Sequence, residues 1–161
     1  WFSSIAGSPF AVASISAILL NLLFRIGTAQ NALVCIKPQL DSIADVRNFF
    51  ERSGGLWGAR RQVVQRVEAA VNELLETLIL LELASEEITI QAGFDEYNLD
   101  VVVHYAGLPF IALAQPLAPE QPLDDDTALT RLPALLIRQY ADRVTVAADN
   151  QQQRVSLHFE H

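Results

Sequence analysis

No charged residue occurs between Trp1 and Phe24, and Arg25 is the only one before Lys37. A helix made from that run is apolar on every side. It has no polar face to turn to water, so something other than water must cover it. Ser8 is a favourable N-cap, and Pro9 suits a first helical turn, where its missing N–H would be unbonded anyway. Residues 10–24 then read FAVASISAILLNLLF. At 1.5 Å per residue, Pro9 to Ile26 extends roughly 27 Å, adequate for a tilted or slightly short membrane span. Ala11, Ala13, Ser14, Ser16 and Ala17 line its first half, as where helices approach closely in a bundle. Asn21 would need a partner there.

Three other readings compete with a span inside a bundle. A signal-peptide core lacks its basic n-region here, and NALVC is a poor cleavage site. A buried helix of a soluble domain and a single-span anchor are the other two. The membrane span is the expectation carried forward. Arg25 and Lys37 follow it before the first acid, Asp41, so the positive-inside rule puts the C-terminal part in the cytoplasm. A lone cysteine, Cys35, agrees with a reducing compartment and excludes an internal disulfide framework.

SPFAVASISAILLNLLFRIG resembles the last transmembrane helix of the xanthine/uracil permeases, the nucleobase–cation symporter-2 family. The resemblance covers about residues 1–27 and implies the end of a polytopic, ion-coupled nucleobase transporter. The substrate and ion sites of that family lie on earlier helices, so none is carried over. The chain starts at Trp1 and contains no methionine, and is therefore expected to be a fragment or a processed product.

The rest of the chain is of another kind. Of its 11 basic residues all but Arg25 lie from Lys37 onward, against 19 acids, and the whole chain carries −8. That balance argues against nucleic acid as a partner, which needs a basic footprint. Asp41 or Ser42 can cap a helix through Ile43, Val46, Phe49 and Phe50, which Ser53-Gly54-Gly55 would stop. A second helix, about residues 60–83, repeats apolar residues at Val64, Val67, Val71, Leu74, Leu75, Leu78 and Leu81. Ile88, Ile90 and Ala92 alternate as a strand, residues 94–98 turn, and residues 99–105 return. Residues 110–113 read as a further short strand, and 115–126, with three prolines and DDD, as an exposed loop. Pro133 is placed in the first turn of a helix reaching Ala141, before a hairpin of residues 143–148 and 154–159. The expected fold is an α/β (α+β) two-layer sandwich, helices on a mostly antiparallel sheet, behind one transmembrane helix. The expected organisation is a last transmembrane helix at 1–27, a linker at 28–40 and a cytoplasmic domain at 41–161.

VRNFF, RVEAAVNELLETLI, LDVVVHYAGLPF and LPALLIRQYADRVTV follow one another as do the segments of the GHKL ATPase fold, which residues 44–160 resemble, in particular its anti-sigma-factor serine kinase branch. The resemblance implies an N-box Glu that activates the attacking group and, four residues later, an Asn that holds Mg²⁺ and phosphate. Counting without gaps puts these at Glu73 and Thr77, and a shifted register pairs Glu68 with Asn72. Glu73 points almost opposite the Val67/Val71/Leu74/Leu78 stripe, so it also reads as a solvated helix charge. In the D-x-G-x-P-F box the adenine-reading Asp is replaced by Tyr105, while Gly107, Pro109 and Phe110 remain. The glycines of the next, phosphate-cradling box fall at Arg131 and Pro133, with Asp124, Asp125 and Asp126 before them. On these losses the domain is expected to be degenerate: not an enzyme, with no ATP or Mg cofactor, no metal and no catalytic residue. Its vestigial candidates are Glu73 as catalyst and Asn72, Glu73, Thr77 and Gly107 around a nucleotide.

His104, His158 and His161 read as ordinary side chains, and Arg60, Arg61 and Arg66 as a small basic group able to touch anionic headgroups. The expected function is the C-terminal portion of a multi-pass inner-membrane nucleobase transporter with a regulatory or self-associating cytoplasmic domain. Its partners would be the lipid bilayer, upstream transmembrane helices, a nucleobase and a second copy as homodimer. The alternative is a membrane-tethered, ATP-binding serine/threonine protein kinase of the anti-sigma type.

Overall fold

The computed structural model describes residues 9–25, 30–114, 125–149 and 152–161. Two elements precede the acidic part of the chain, α1 (Pro9–Arg25) and β1 (Gln30–Ile36). After them come α2 (Ser42–Trp57), α3 (Arg61–Leu80), β2 (Ile88–Phe94), β3 (Asn98–Ala106) and a short α4 (Ile111–Ala114). The chain ends with α5 (Asp125–Tyr140), β4 (Arg143–Asp149) and β5 (Gln152–Glu160). The strands form one sheet in the order β1-β2-β3-β5-β4, every pair antiparallel.

Strict alternation gives the sheet one apolar face. Ile88, Ile90, Ala92 and Phe94 of β2, Leu99, Val101, Val103 and Tyr105 of β3, and Val155, Leu157 and Phe159 of β5 are buried together. The Val67, Val71, Leu74 and Leu78 stripe of α3 meets that face with no exposure at all. Flanking α3 on its two sides are α2 and α5, so the helices form a second layer with α3 at its centre. The observed architecture is an α+β sandwich built on a five-stranded antiparallel sheet.

Several expectations are corrected. Among the described residues no helix is long and apolar enough to cross a membrane. The apolar run forms α1, 17 residues long and ending on a charge, while residues 1–8 and 26–29 lie outside the described set. Nearly all of its described side chains, residues 10–21, are nonetheless exposed, Phe10 85% and Ile18 61%. The stretch read as a linker contains β1, which pairs with β2 from Gln30↔Phe94 to Ile36↔Ile88. Residues 110–113 are not a strand, because Ile111–Ala114 is a turn of helix. Gly54 and Gly55 do not stop α2, which continues to Trp57 and closes on Gly58, whose N–H bonds to Gly54 O. Pro133 lies inside α5 rather than in its first turn, since that helix starts eight residues earlier at Asp125. Of the loop read at 115–126, residues 115–124 lie outside the described set, and Asp125 and Asp126 are already helical.

Arg66, read as part of a small basic group, is engaged within the fold. Its Nε donates to Tyr140 O at 3.0 Å and its Nη2 to Asp142 Oδ2 at 2.9 Å, joining α3 to the end of α5.

Candidate functional site

Two of the sequence-read positions, Tyr105 and Gly107, lie where β3 ends beside the start of β5. Tyr105 and Gln153 are cross-strand partners there, both on the face under the helices, 1% and 3% exposed. One turn further, Gly107 has φ 143°, and a Cβ on it would lie 1.9 Å from Leu83 O. Only glycine tolerates that combination of backbone angle and approach. Leu108 N–H donates to the same Leu83 carbonyl at 2.9 Å, and Ala84 bridges Gly107. Leu83 follows directly on α3, so the Gly107 turn is fastened to the end of that helix.

Glu73 and Thr77 lie in the last two turns of α3, and the helical phase says which way they face. They stand seven and eleven residues after Arg66, within about 20° of its direction at 100° per residue. Arg66 reaches the end of α5, so Glu73 and Thr77 share the α5 side of α3. Glu68 points the other way, into the fields of Arg47 and Glu51 on α2, and lines an open depression with Gly54, Gly55 and Val64. Asn72, one turn after Glu68, keeps a buried Oδ1 without a partner. The two registers thus part: Glu73 and Thr77 lie on the α5 side of α3, and Glu68 on the α2 side.

Glu73 is half-buried rather than a freely solvated helix charge. Burial raises its carboxyl pKa, and the neighbouring Glu76 raises it further. Thr77 is buried, and its Oγ1 donates to Glu73 O at 2.7 Å, a bond back to the preceding turn that occupies its proton. Burial raises the Tyr105 phenol too, against the backbone N–H of Phe110, so it stays protonated. Its Oη completes no hydrogen bond of good geometry. Gln153 Nε2 donates to Gly107 O at 3.3 Å, leaving its Oε1 buried and without a partner.

Arg131 and Pro133 are not positions in a phosphate loop. Both lie well inside α5, whose backbone N–H groups are engaged in the helix, so their lack of glycine says nothing about the segment before Asp125. Asp125 and Asp126 open the helix. Among the described residues no group of three His, Cys, Asp or Glu is placed to hold a metal. His158 Nδ1 and Asp100 Oδ1 pair at 2.6 Å on the open face of the sheet, and His161 accepts the Arg60 N–H. Both are remote from Tyr105 in the ladder.

Gln153 is the residue that sequence reasoning missed. The one available signal was a polar residue standing in phase with Val155, Leu157 and Phe159, the inward positions of a strand.

No family model matches the sequence, and no curated protein matches it. Among solved structures the chain is similar to the RsbU and RsbW domains of Rv1364c from Mycobacterium tuberculosis, with a TM-score of 0.58 and 11% identity. That likeness covers 80% of this chain and 32% of the other, so this chain spans about a third of that length. A histidine kinase from Burkholderia phymatum STM815 aligns over 99% of this chain and 83% of its own at 17% identity, with a TM-score of 0.38. The fold is GHKL-like. Neither likeness is to a permease. The expectation of a non-enzyme does not stand beside this fold, which is shared with the RsbU and RsbW domain structure.

Proposed function

We propose that residues 30–161 form a purine-nucleotide-binding domain that works as an ATP-dependent serine/threonine protein kinase module of the anti-sigma type. One observation carries the reading. Beside Tyr105, where the resemblance puts the adenine-reading residue, its cross-strand partner Gln153 keeps a buried Oε1 without a partner, and the Tyr105 Oη completes no hydrogen bond of good geometry. An unsatisfied buried polar group costs about 1–3 kcal/mol, and a bound base would supply the missing partners.

In this reading ATP, when bound, supplies the phosphoryl group. Tyr105, Gln153 and the Gly107 turn hold the base end. Glu73 accepts the proton of the attacking hydroxyl, and its raised pKa brings it nearer the range in which a general base is efficient at neutral pH. Thr77 is a positioning residue, because its hydroxyl clamps the carbonyl of Glu73. The bare apolar side chains of α1 support a second, separable element of the reading. They fit attachment of this module to other apolar helices or to a bilayer, as the permease resemblance of residues 1–27 would have it.

Calorimetry of the 161-residue chain with Mg-ATP tests the nucleotide site. Saturable binding at micromolar concentrations is expected, and phosphoryl transfer from labelled ATP should disappear in Glu73→Gln while binding persists. No saturation up to about 1 mM, roughly −4 kcal/mol, would refute it.

A further inference from the structure

We infer that Gln153 is the base-recognising residue of this domain, its Oε1 accepting a hydrogen bond from the exocyclic amine of an adenine. The inference rests on the nucleotide-binding reading and assigns the contact to β5, the strand beside the D-x-G-x-P-F segment.

The first argument is burial. Gln153 is 3% exposed at an inward position of β5, where Val155, Leu157 and Phe159 are the next three inward residues. An apolar residue would satisfy the core there without leaving a polar atom behind. The second is orientation. Gly107 O can only accept, so the end of the Gln153 amide that faces it at 3.3 Å must be the nitrogen. The oxygen is thereby fixed as an acceptor facing elsewhere, and it has no partner. The third is what stands opposite. Tyr105 is its direct cross-strand partner and carries the second unsatisfied oxygen, a protonated phenol able to donate.

An acceptor beside a donor is the complement of an amine beside a ring nitrogen, the edge that adenine presents. The acceptor lost where Tyr105 stands is thus replaced from the neighbouring strand, one rung across the ladder.

The test compares ATP with purine riboside triphosphate, which lacks the exocyclic amine, by calorimetry on the whole chain. The unsubstituted protein should bind ATP about tenfold or more tightly than the amine-free nucleotide. Gln153→Leu should bind both equally, at the weaker level, while its melting temperature without nucleotide rises because a buried unpaired acceptor has gone. Gln153→Met, closer in shape, serves the same comparison if the leucine variant does not fold. Equal affinity of the unsubstituted protein for both nucleotides overturns the inference but not the nucleotide site. So does a Gln153→Leu protein that keeps the preference, or one that melts lower and weakens both nucleotides alike, the mark of a purely structural residue. Failure of the unsubstituted protein to bind either nucleotide refutes the nucleotide reading and the inference with it.

Discussion

Val64 fills the space that a side chain at position 54 would need: a Cβ on Gly54 would stand 2.6 Å from Val64 Cγ2 and 3.2 Å from its Cγ1. Gly54 is therefore the contact point at which α2 and α3 approach, and the glycine pair continues the helix instead of ending it. Small residues let two helices come closer than the usual 8–10 Å. The β-branched Val64 has one strongly preferred rotamer in a helix and cannot step aside.

Gly54→Ala is expected to destabilise the domain by about 1–3 kcal/mol, the usual cost of overpacking a core. Urea unfolding reads it as a lower midpoint with an unchanged slope. Gly54→Ala with Val64→Ala should recover part of the loss, and a double variant as unstable as the simple sum of both would mean that the two residues are not in conflict.

Pro133 has no N–H to offer the carbonyl of Leu129 and stands in the interior of α5. Interior prolines cost about 3 kcal/mol relative to alanine. Pro133→Ala should accordingly raise the thermal midpoint, by less than that figure implies because relaxation around the proline has already recovered some of the cost. A lower midpoint would show that the proline's ring packing outweighs the missing bond.

These two positions also show how far the sequence could be read. The period-3.6 stripe of α3 and the alternation of β2, β3 and β5 were legible because each element has one buried face with uniform chemistry. Gly54 and Pro133 misled for a common reason: both are helix breakers by propensity, and the helices tolerate them because tertiary packing outweighs propensity. β1 was illegible because QNALVCI follows directly on the apolar run and alternates weakly, Ala32 and Val34 being only half-buried at the sheet edge. Of the candidate site, Glu73, Thr77 and Gly107 were reached through the family resemblance, whereas Gln153 was not. Its meaning depends on a bond to Gly107 across 46 residues, which no local pattern encodes.

Asp142 links three elements, accepting from the Glu160 backbone N–H at 2.8 Å and from Arg66 at 2.9 Å. The backbone bond first, and the Arg66 guanidinium with it, hold its carboxyl below the ordinary aspartate value of 3.8. A group with a depressed folded pKa adds stability that is fully present above its unfolded value and is lost as pH falls through the folded one. Acidification from pH 5 to below 3.8 should thus erode the stability of the unsubstituted protein more than that of Asp142→Asn. Parallel pH curves for the two, measured by urea unfolding, would remove Asp142 from the acid response. Because both partners are about one-third exposed, solvent screening keeps the effect modest.

Glu73 presents the opposite sign. Burial and then Glu76 raise its folded pKa above the ordinary 4.5, so its protonated form is the one that folding favours. Its contribution to stability is complete below the unfolded value and disappears as pH rises through the folded one, leaving a half-buried carboxylate at neutral pH. Glutamine has the same shape without the charge. Glu73→Gln is therefore expected to melt higher than the unsubstituted protein at pH 7 and at the same temperature near pH 4, while phosphoryl transfer is lost. Such opposition between stability and activity is what a carboxylate retained for chemistry produces, since a residue kept for folding alone would lose stability on substitution. A lower melting temperature for Glu73→Gln at pH 7, with transfer unchanged, would return Glu73 to the surface charges of α3.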